Sequence, residues 1–172
     1  IAGLNFLNNA YYFPYIEGKD NITPFELPLY LLGTCSTIEE VKEKLNNISL
    51  LNVPFSTKIP LAYLHFMVAD LNKSIVIEST KDGLKVYDND LNVLTNNPEF
   101  SYHKNNIYNY LNLSIEDPLH HKFNNISYGQ GLIGLPGDYS SMSRFIKVYF
   151  VKENIVLNDD PVSQFFYSLD SV

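Results

Sequence analysis

The chain contains a single arginine, Arg144, and this residue is the first candidate for chemistry. The other 11 of its 12 basic residues are lysines, so lysine supplies generic positive charge throughout. Arginine offers instead a planar, permanently charged fork that binds a carboxylate or an oxyanion through two hydrogen bonds. Arg144 follows a long Gly- and Ser-rich segment, a position that suits a residue at the rim of an active site. A structural pair with a carboxylate explains it equally well.

Two asparagines also occupy unusual places. Asn5 interrupts the apolar stretch 1–7, and Asn96 ends another apolar stretch shortly before a proline. A buried amide must find hydrogen-bond partners. One interpretation is a cap on a strand end or a turn. The other is an oxyanion donor, because an amide N–H stabilises developing negative charge without titrating.

The remaining reactive side chains favour structural roles. Cys35 is the single cysteine, so no internal disulfide forms, and its neighbours give no reason for activation. His65 alternates with apolar residues, which favours a hydrogen-bonded core histidine. His120 and His121 have no Cys or His at zinc-ligand spacing. The segment 129–134 matches G-x-G-x-x-G but opens no helix, so we interpret it as a loop whose glycines need positive φ or close backbone approach.

Composition excludes several classes of protein. The 172 residues carry a formal net charge of −7, and no basic patch is visible, which argues against nucleic acid as a partner. No apolar run approaches the roughly 18 residues of a membrane span. The 13 tyrosines and 11 phenylalanines exclude a disordered tail. A lone cysteine is typical of a reducing compartment, and we expect a cytoplasmic protein.

The elements that must position these residues begin with strand and helix patterns in the first half. Residues 1–7 are predicted to form a buried strand, and a polar loop follows. Capping boxes at Thr23 with Glu26, where Pro24 would begin the helix, and at Thr37 with Glu40 predict two adjacent helices. From residue 48 the apolar period is two, which predicts an antiparallel meander. Its predicted strands are Leu61–Ala69, Ser74–Ser79, Leu84–Tyr87 and Leu91–Thr95.

Helical patterns return in the second half. A helix is predicted over 98–111, and a long polar loop over 112–143. Ser143 is suited to cap the next helix, and Asp160 the last one. The residues predicted on the inner side of the last helix are Val162, Phe165, Phe166 and Leu169. Helices and an antiparallel sheet in separate blocks predict an α+β fold.

Six short motifs occur in a fixed order and at compatible spacing along the chain. They are Ala2-Gly3-Leu4-Asn5-Phe6, Leu64-His65-Phe66 before Asp70, Val93-Leu94-Thr95-Asn96, Gly129-Gln130-Gly131, Leu135-Pro136-Gly137-Asp138 and Ser143-Arg144-Phe145. Each motif is modest alone, but the ordered set is specific. Together they resemble the choloylglycine hydrolase family, which contains conjugated bile salt hydrolases and penicillin V acylases.

The resemblance implies an N-terminal nucleophile hydrolase with an αββα sandwich. Such an enzyme uses an N-terminal cysteine as nucleophile and the α-amino group of that cysteine as base, without a metal or an organic cofactor. Asn5 matches the oxyanion-hole asparagine, and Asn96 the asparagine that positions the tetrahedral intermediate. Arg144 matches the arginine beside the nucleophile.

The resemblance also implies a substrate pocket and an amide substrate. Phe55, Ile59 and Leu64 are candidates to contact a steroid. Asn5 favours hydrolysis of glycine- or taurine-conjugated bile acids, because penicillin V acylases tend to carry tyrosine at its position. An acylase for penicillin V or acyl-homoserine lactones is an alternative, as is a non-catalytic binding module whose loop tyrosines contact a ligand.

The chain departs from the family pattern at its start. It opens at Ile1, within an apolar stretch, and the implied Met-Cys start would lie upstream. Cys35 does not align with the nucleophile. We therefore expect residues 1–172 to be a single partial domain, an internal piece of a longer protein that is inactive alone. The family resemblance further suggests a homotetramer for the full protein.

Overall fold

The structure of the chain is a computed structural model that describes residues 1–116 and 131–171. The chain divides into two compact units, Ile1–Ser101 and Tyr102–Val172. The single partial domain expected from the sequence stays a prediction. The strands are β1 (Ala2–Asn5), β2 (Asp20–Ile22), β3 (Ile48–Leu50), β4 (Leu64–Ala69), β5 (Ser74–Thr80) and β6 (Gly83–Asp88). The helices are α1 (Leu27–Thr34), α2 (Ile38–Leu45), α3 (Phe100–Asn106), α4 (Ser141–Asn154) and α5 (Pro161–Asp170), with a 3-10 helix at Ile107–Tyr110.

A four-stranded antiparallel sheet in the order β1-β4-β5-β6 organises the first unit. Leu4 lies opposite His65 in the β1–β4 ladder, and Phe66 lies opposite Ile77 in the β4–β5 ladder. The predicted meander is confirmed for β4, β5 and β6. A second, parallel pair joins β2 to β3, with both α1 and α2 in the connection between them. The sequence did not predict this pair, because three-residue strands are too short to show a period.

The sheet presents two different faces, because successive side chains in a strand point to opposite sides. Phe66 and Val68 of β4 and Ile75 and Ile77 of β5 are buried on one face. The other members of this core come from the parallel pair, the two helices and the loop before them: Tyr12, Ile22, Leu27, Leu31, Ile38, Val41, Leu45, Ile48 and Leu50. On the opposite face of the sheet lie His65, Val76 and Glu78, all buried.

The predicted helical pair is confirmed, with a difference at its start. The backbone N–H and hydroxyl of Thr23 donate to Glu26 Oε2 at 3.0 and 2.8 Å, and Glu26 N–H donates back to the Thr23 hydroxyl at 3.3 Å. The α-helix nevertheless begins at Leu27 rather than at Pro24. Pro28 explains the delay, because it has no N–H to donate to the carbonyl four residues earlier and is tolerated only in a first turn.

The predicted strand Leu91–Thr95 is wrong. Polar side chains satisfy the backbone instead: Asn89 Nδ2 donates to Val93 O at 3.3 Å, and the Ser74 hydroxyl donates to Asn89 O at 2.9 Å. Asn92 also has a φ of 53°, which a strand does not accommodate. Such side-chain bonds compete with a β-ladder.

The first strand also differs from its prediction. A strand is present within residues 1–7, but Ala2, Gly3 and Asn5 are exposed, and the buried residue is Phe6. Among the strands that the structure describes, β1 has only β4 as a neighbour. It is therefore an edge strand in this part of the chain and not the buried strand that its apolar sequence predicted.

In the second unit, helices occur where the sequence predicted them. The N-cap of α4 and the exposure of the apolar residues of α5 differ from the prediction. Ser140, rather than Ser143, caps α4 and accepts a hydrogen bond from the Ser143 N–H at 3.2 Å. Asp160 caps α5 as predicted, at 3.1 Å from Ser163 N. The inward orientation predicted for the apolar residues of α5 is wrong for the described residues, since they are 46–65% exposed: Val162, Phe165, Phe166 and Leu169. None of the described helices is long and apolar enough to cross a membrane.

Part of the glycine motif lies outside the described residues, as do His120 and His121. At Gly131, which is described, the interpretation as a conformational glycine is confirmed. Its φ is 74°, and a Cβ there would lie 2.6 Å from the backbone of residues 115–116. No L-side chain fits that position without moving the backbone.

The core of the first unit gives a direct test of the fold. Leu31→Ala should lower the free energy of unfolding by about 2–5 kcal/mol, because it removes a side chain that is 1% exposed and leaves a cavity. Leu29→Ala, on the same helix but 77% exposed, is the matched control and should change it by less than about 0.5 kcal/mol. Urea unfolding of the full-length protein measures both variants. Equal losses would contradict the orientation of α1.

Candidate active site

The structure brings together the two asparagines singled out in the sequence. Asn96 Nδ2 donates to the backbone carbonyl of Asn5 at 2.9 Å, across 91 residues of chain. Asn5 is the last residue of β1, and its side chain is exposed, while Asn96 is half-buried. The Asn96 side chain therefore holds the Asn5 backbone at the end of β1.

A third asparagine, which the sequence analysis did not identify, completes this arrangement. Asn97 Nδ2 donates to the Leu7 carbonyl and, at 2.5 Å, to Asn9 Oδ1. Asn8, between these two residues, has a φ of 68°, and the chain turns there. The side chains of Asn96 and Asn97 thus bind the turn 5–9 at two separate places. The only signal in the sequence was the pair of asparagines directly before a proline.

A buried polar pair lies behind the same strand end. His65 Nδ1 lies 3.1 Å from Glu78 Oε1, and both side chains are fully buried. The His65 ring stacks on Phe6 with centroids 4.4 Å apart. The prediction of a hydrogen-bonded core histidine is confirmed. Glu78 was missed, although a carboxylate inside an apolar strand was a signal, since such a group is almost never buried without partners.

Arg144 lies in the second compact unit, in the first turn of α4. Its Nε donates to the Tyr139 carbonyl at 3.2 Å. The turn before it is fixed by Asp138, whose carboxylate accepts from Ser140 N at 2.8 Å and from the Ser143 hydroxyl at 2.6 Å. Hydrogen bonds from the hydroxyls of Ser140 and Ser143, together with that from the Ser140 N–H, lower the pKa of Asp138 to about 2. The Asp138 carboxylate therefore fixes the turn before the helix that carries the arginine.

The residues predicted to contact substrate lie on or beside the loop 52–63. Phe55 is 64% exposed and Ile59 48% exposed, while Leu64, at the start of β4, is half-buried. Phe55 packs edge-to-face on Phe25 with centroids 5.5 Å apart. An exposed aromatic and aliphatic surface of this kind can receive an apolar ligand.

Tyr12, which the sequence analysis did not select for the site, anchors the end of this loop. Its hydroxyl accepts from Leu64 N at 2.8 Å and lies 3.0 Å from the Ala62 carbonyl. Its ring is buried and stacks on Tyr63 at 5.9 Å. Burial raises the pKa of Tyr12 to about 12, because the phenolate would lose its solvation.

Cys35 has a structural position. It follows α1, where its N–H donates to the Leu31 carbonyl at 2.9 Å, and its side chain packs against the core. Among the described residues, no group of three or more His, Cys, Asp or Glu is placed to hold a metal ion.

Comparison with known proteins identifies the family. Residues 1–172 match the model of a family described as linear amide C–N hydrolases, choloylglycine hydrolase family. The chain belongs to this family. The resemblance carried by the six sequence motifs is thereby confirmed.

Two curated members of the choloylglycine hydrolase family illustrate the similarity. A bile salt hydrolase/transferase of Lactiplantibacillus plantarum is 48% identical over 180 residues, which cover 100% of this chain and 56% of that protein. A bile salt hydrolase/transferase of Clostridium perfringens is 40% identical over 181 residues, with coverages of 99% and 55%. The chain spans about half the length of the curated relatives it matches.

Solved structures of the family agree with the fold. Crystal structures of two variants of the conjugated bile acid hydrolase from Clostridium perfringens match with TM-scores of 0.90 and 0.89, at 41% and 40% identity. Each match covers 99% of this chain and 55% of the crystallised chain. The predicted α+β class and the N-terminal nucleophile hydrolase fold are confirmed.

The Tyr12 hydroxyl leads to a prediction about alkaline stability. Tyr12→Phe should lower the free energy of unfolding by about 1–3 kcal/mol at pH 8, because a buried N–H and a carbonyl lose their partner. The folded protein holds the phenolic proton up to about pH 12, whereas the unfolded chain releases it near pH 10. The stabilisation by Tyr12 is therefore complete below pH 10 and falls between pH 10 and 12.

The measurement is urea unfolding of wild type and variant at several pH values. The difference between the two proteins should shrink as the pH rises from 10 to 12. Tyr15→Phe, at an exposed tyrosine, is the matched control. It should change neither the free energy of unfolding nor its dependence on pH. A difference that stays constant up to pH 12 would show that Tyr12 is not held protonated in the fold.

Proposed function

We propose that this chain is part of an amide C–N hydrolase that cleaves glycine- or taurine-conjugated bile acids. Membership of the choloylglycine hydrolase family and the named functions of the relatives support this proposal. The observation that carries it is the hydrogen bond from the Asn96 side chain to the Asn5 carbonyl, which places the Asn96 amide at the strand end that carries Asn5. An amide-lined strand end suits the oxyanion of a tetrahedral intermediate.

The proposed reaction needs a thiolate, and we assign it to an N-terminal cysteine of the full-length protein, with the α-amino group as base. The thiolate adds to the carbonyl carbon of the substrate amide, and the carbonyl oxygen becomes an oxyanion. The intermediate collapses when the C–N bond breaks, the amine takes a proton and leaves, and a thioester remains. Water then hydrolyses the thioester to the bile acid and regenerates the thiol.

The residues of this chain act on the oxyanion, the nucleophile and the steroid. Asn5 donates an amide hydrogen to the oxyanion, and Asn96 orients both the Asn5 backbone and the intermediate. Arg144 places a permanent positive charge beside the nucleophile and favours its thiolate form. Phe55, Ile59 and Leu64 contact the apolar steroid, as apolar side chains usually do in ligand sites. No step requires a metal or an organic cofactor.

A parallel assay of three amides tests the reaction and its substrate class. The full-length protein, expressed from its open reading frame, is given glycocholate, taurocholate and penicillin V, and the released amine is quantified. We expect glycine or taurine to be released faster than 6-aminopenicillanic acid. Preferential cleavage of penicillin V would keep the mechanism and overturn the substrate. Silence on all three would overturn bile salt hydrolysis and favour another amide, such as an acyl-homoserine lactone, or a binding module.

Exchange of the single arginine tests the site. Arg144→Lys should lower kcat/KM for glycocholate about 10²-fold, because lysine keeps the charge but loses the planar fork that positions it. Lys152→Arg, a charge-conserving exchange on the same helix, is the control and should leave activity within about twofold. Activity of Arg144→Lys near that of the wild type would refute the assigned role.

Two further expectations accompany the proposed function. We propose a homotetramer for the full-length protein and a cytoplasmic location, both of which are supported only by the family resemblance and the cysteine content. Light scattering after size-exclusion chromatography measures the first, and cell fractionation the second.

A further inference from the structure

We propose that Glu78 is a positioning residue for the Asn5–Asn96 pair, an inference that rests on the proposed function of this site. Glu78 lies in β5 and is fully buried. A single carboxylate oxygen, Oε1, lies 3.1 Å from His65 Nδ1 and accepts from the Phe100 N–H at 2.9 Å. One buried atom therefore joins β4, β5 and the start of α3.

The first contact leads to Asn5. His65 lies opposite Leu4 in the β1–β4 ladder, and its ring stacks on Phe6 with an interplanar angle of 6°. Phe6 is buried and follows Asn5 directly. Glu78 fixes the plane of the His65 ring. The Phe6 ring stacks on that plane, so Glu78 also fixes Phe6 and hence the backbone at the end of β1.

The second contact leads to Asn96. Phe100 is the first residue of α3, four residues beyond Asn96, and its ring is buried 5.8 Å from Tyr87. Between them, Asn97 binds the turn 5–9 through Leu7 and Asn9. The segment 96–100 is thus held at one end by amides and at the other by the Glu78 carboxylate. Release of the second end would let Asn96 shift relative to Asn5.

Stability alone does not account for this pair. Burial of a carboxylate is costly unless its hydrogen bonds are made, and apolar replacements of buried ionic pairs are often neutral or stabilising. Here Glu78 Oε2 and His65 Nε2 are buried without a hydrogen-bond partner among the described residues. A buried carboxylate is therefore a costly means of stabilising a sheet. Its advantage is that Oε1 sets the geometry of two separate segments.

Glu78→Gln is the informative variant, because glutamine has nearly the same shape but cannot keep both contacts without a penalty. If the amide oxygen replaces Oε1, the NH₂ group occupies the buried Oε2 position and brings two donor hydrogens there that need acceptors. If the NH₂ group replaces Oε1, it faces the Phe100 N–H. Either orientation should loosen the start of α3.

The test measures coupling between Glu78 and Asn96 in the full-length enzyme. Glu78→Gln should lower kcat for glycocholate about 10- to 100-fold with KM within about threefold, because small misplacements near the chemistry have effects of this size. In an Asn96→Ala background the same change should lower kcat by less than about twofold, since the two residues act through one contact. Glu39→Gln, at an exposed carboxylate on α2, is the control.

A crystal structure of the Glu78→Gln enzyme gives a readout that does not depend on activity. We expect the distance from Asn96 Nδ2 to Asn5 O to exceed 3.5 Å. Retention of the 2.9 Å contact, or independent losses of kcat in the double variant, would overturn the positioning role. If wild type cleaves no bile salt, the proposed function fails, and the crystal structure still decides the role of Glu78. Glu78→Asp, too short to reach both donors, replaces the glutamine variant if that variant does not fold.

Discussion

The hydrogen bond from the Asn96 side chain to the Asn5 carbonyl is the contact on which the candidate site depends. It joins two residues that are 91 positions apart in the sequence, and it fixes the position of each relative to the other. Asn5 ends an edge strand, where backbone groups need partners from outside the ladder. The Asn96 side-chain amide meets that need for the Asn5 carbonyl. The same interaction therefore completes the strand end and brings Asn96 to the candidate site.

Parts of this arrangement could be predicted where the sequence signal lies within a few residues. Parts that depend on residues far apart in the chain could not. The helical pair α1 and α2 was predictable, because Thr23, Glu26, Thr37 and Glu40 act within one turn of chain. The parallel ladder β2–β3 was not, because its two strands are three residues long and are separated by both helices. Prediction of the α+β class needed only the change of apolar period along the chain. Errors in the boundaries of individual elements do not alter that prediction.

The site divides in the same way. Asn5, Asn96 and Arg144 could be selected because each is unusual in its own neighbourhood, and the family resemblance supplied their roles. Asn97, Tyr12 and Glu78 were not selected, because the sequence signals at Asn97 and Glu78 do not show what these residues contact. Their importance lies in partners far along the chain: Leu7 for the first, Leu64 for the second and Phe100 for the third. In physical terms, the sequence shows which groups are available, whereas the tertiary structure decides which backbone atoms they satisfy.

The single arginine illustrates why a lysine-rich chain keeps one residue of another type. At the start of α4, the Nε contact with the Tyr139 carbonyl fixes the plane of the Arg144 guanidinium. The terminal nitrogens of that plane then have a defined direction, which a lysine cannot match, because its ammonium is a point charge on a flexible stem. Asp138 reinforces this by accepting hydrogen bonds from Ser140 and Ser143, which hold the preceding turn. The backbone at the start of α4 thus orients the positive charge of Arg144, as the proposed role beside a thiolate requires.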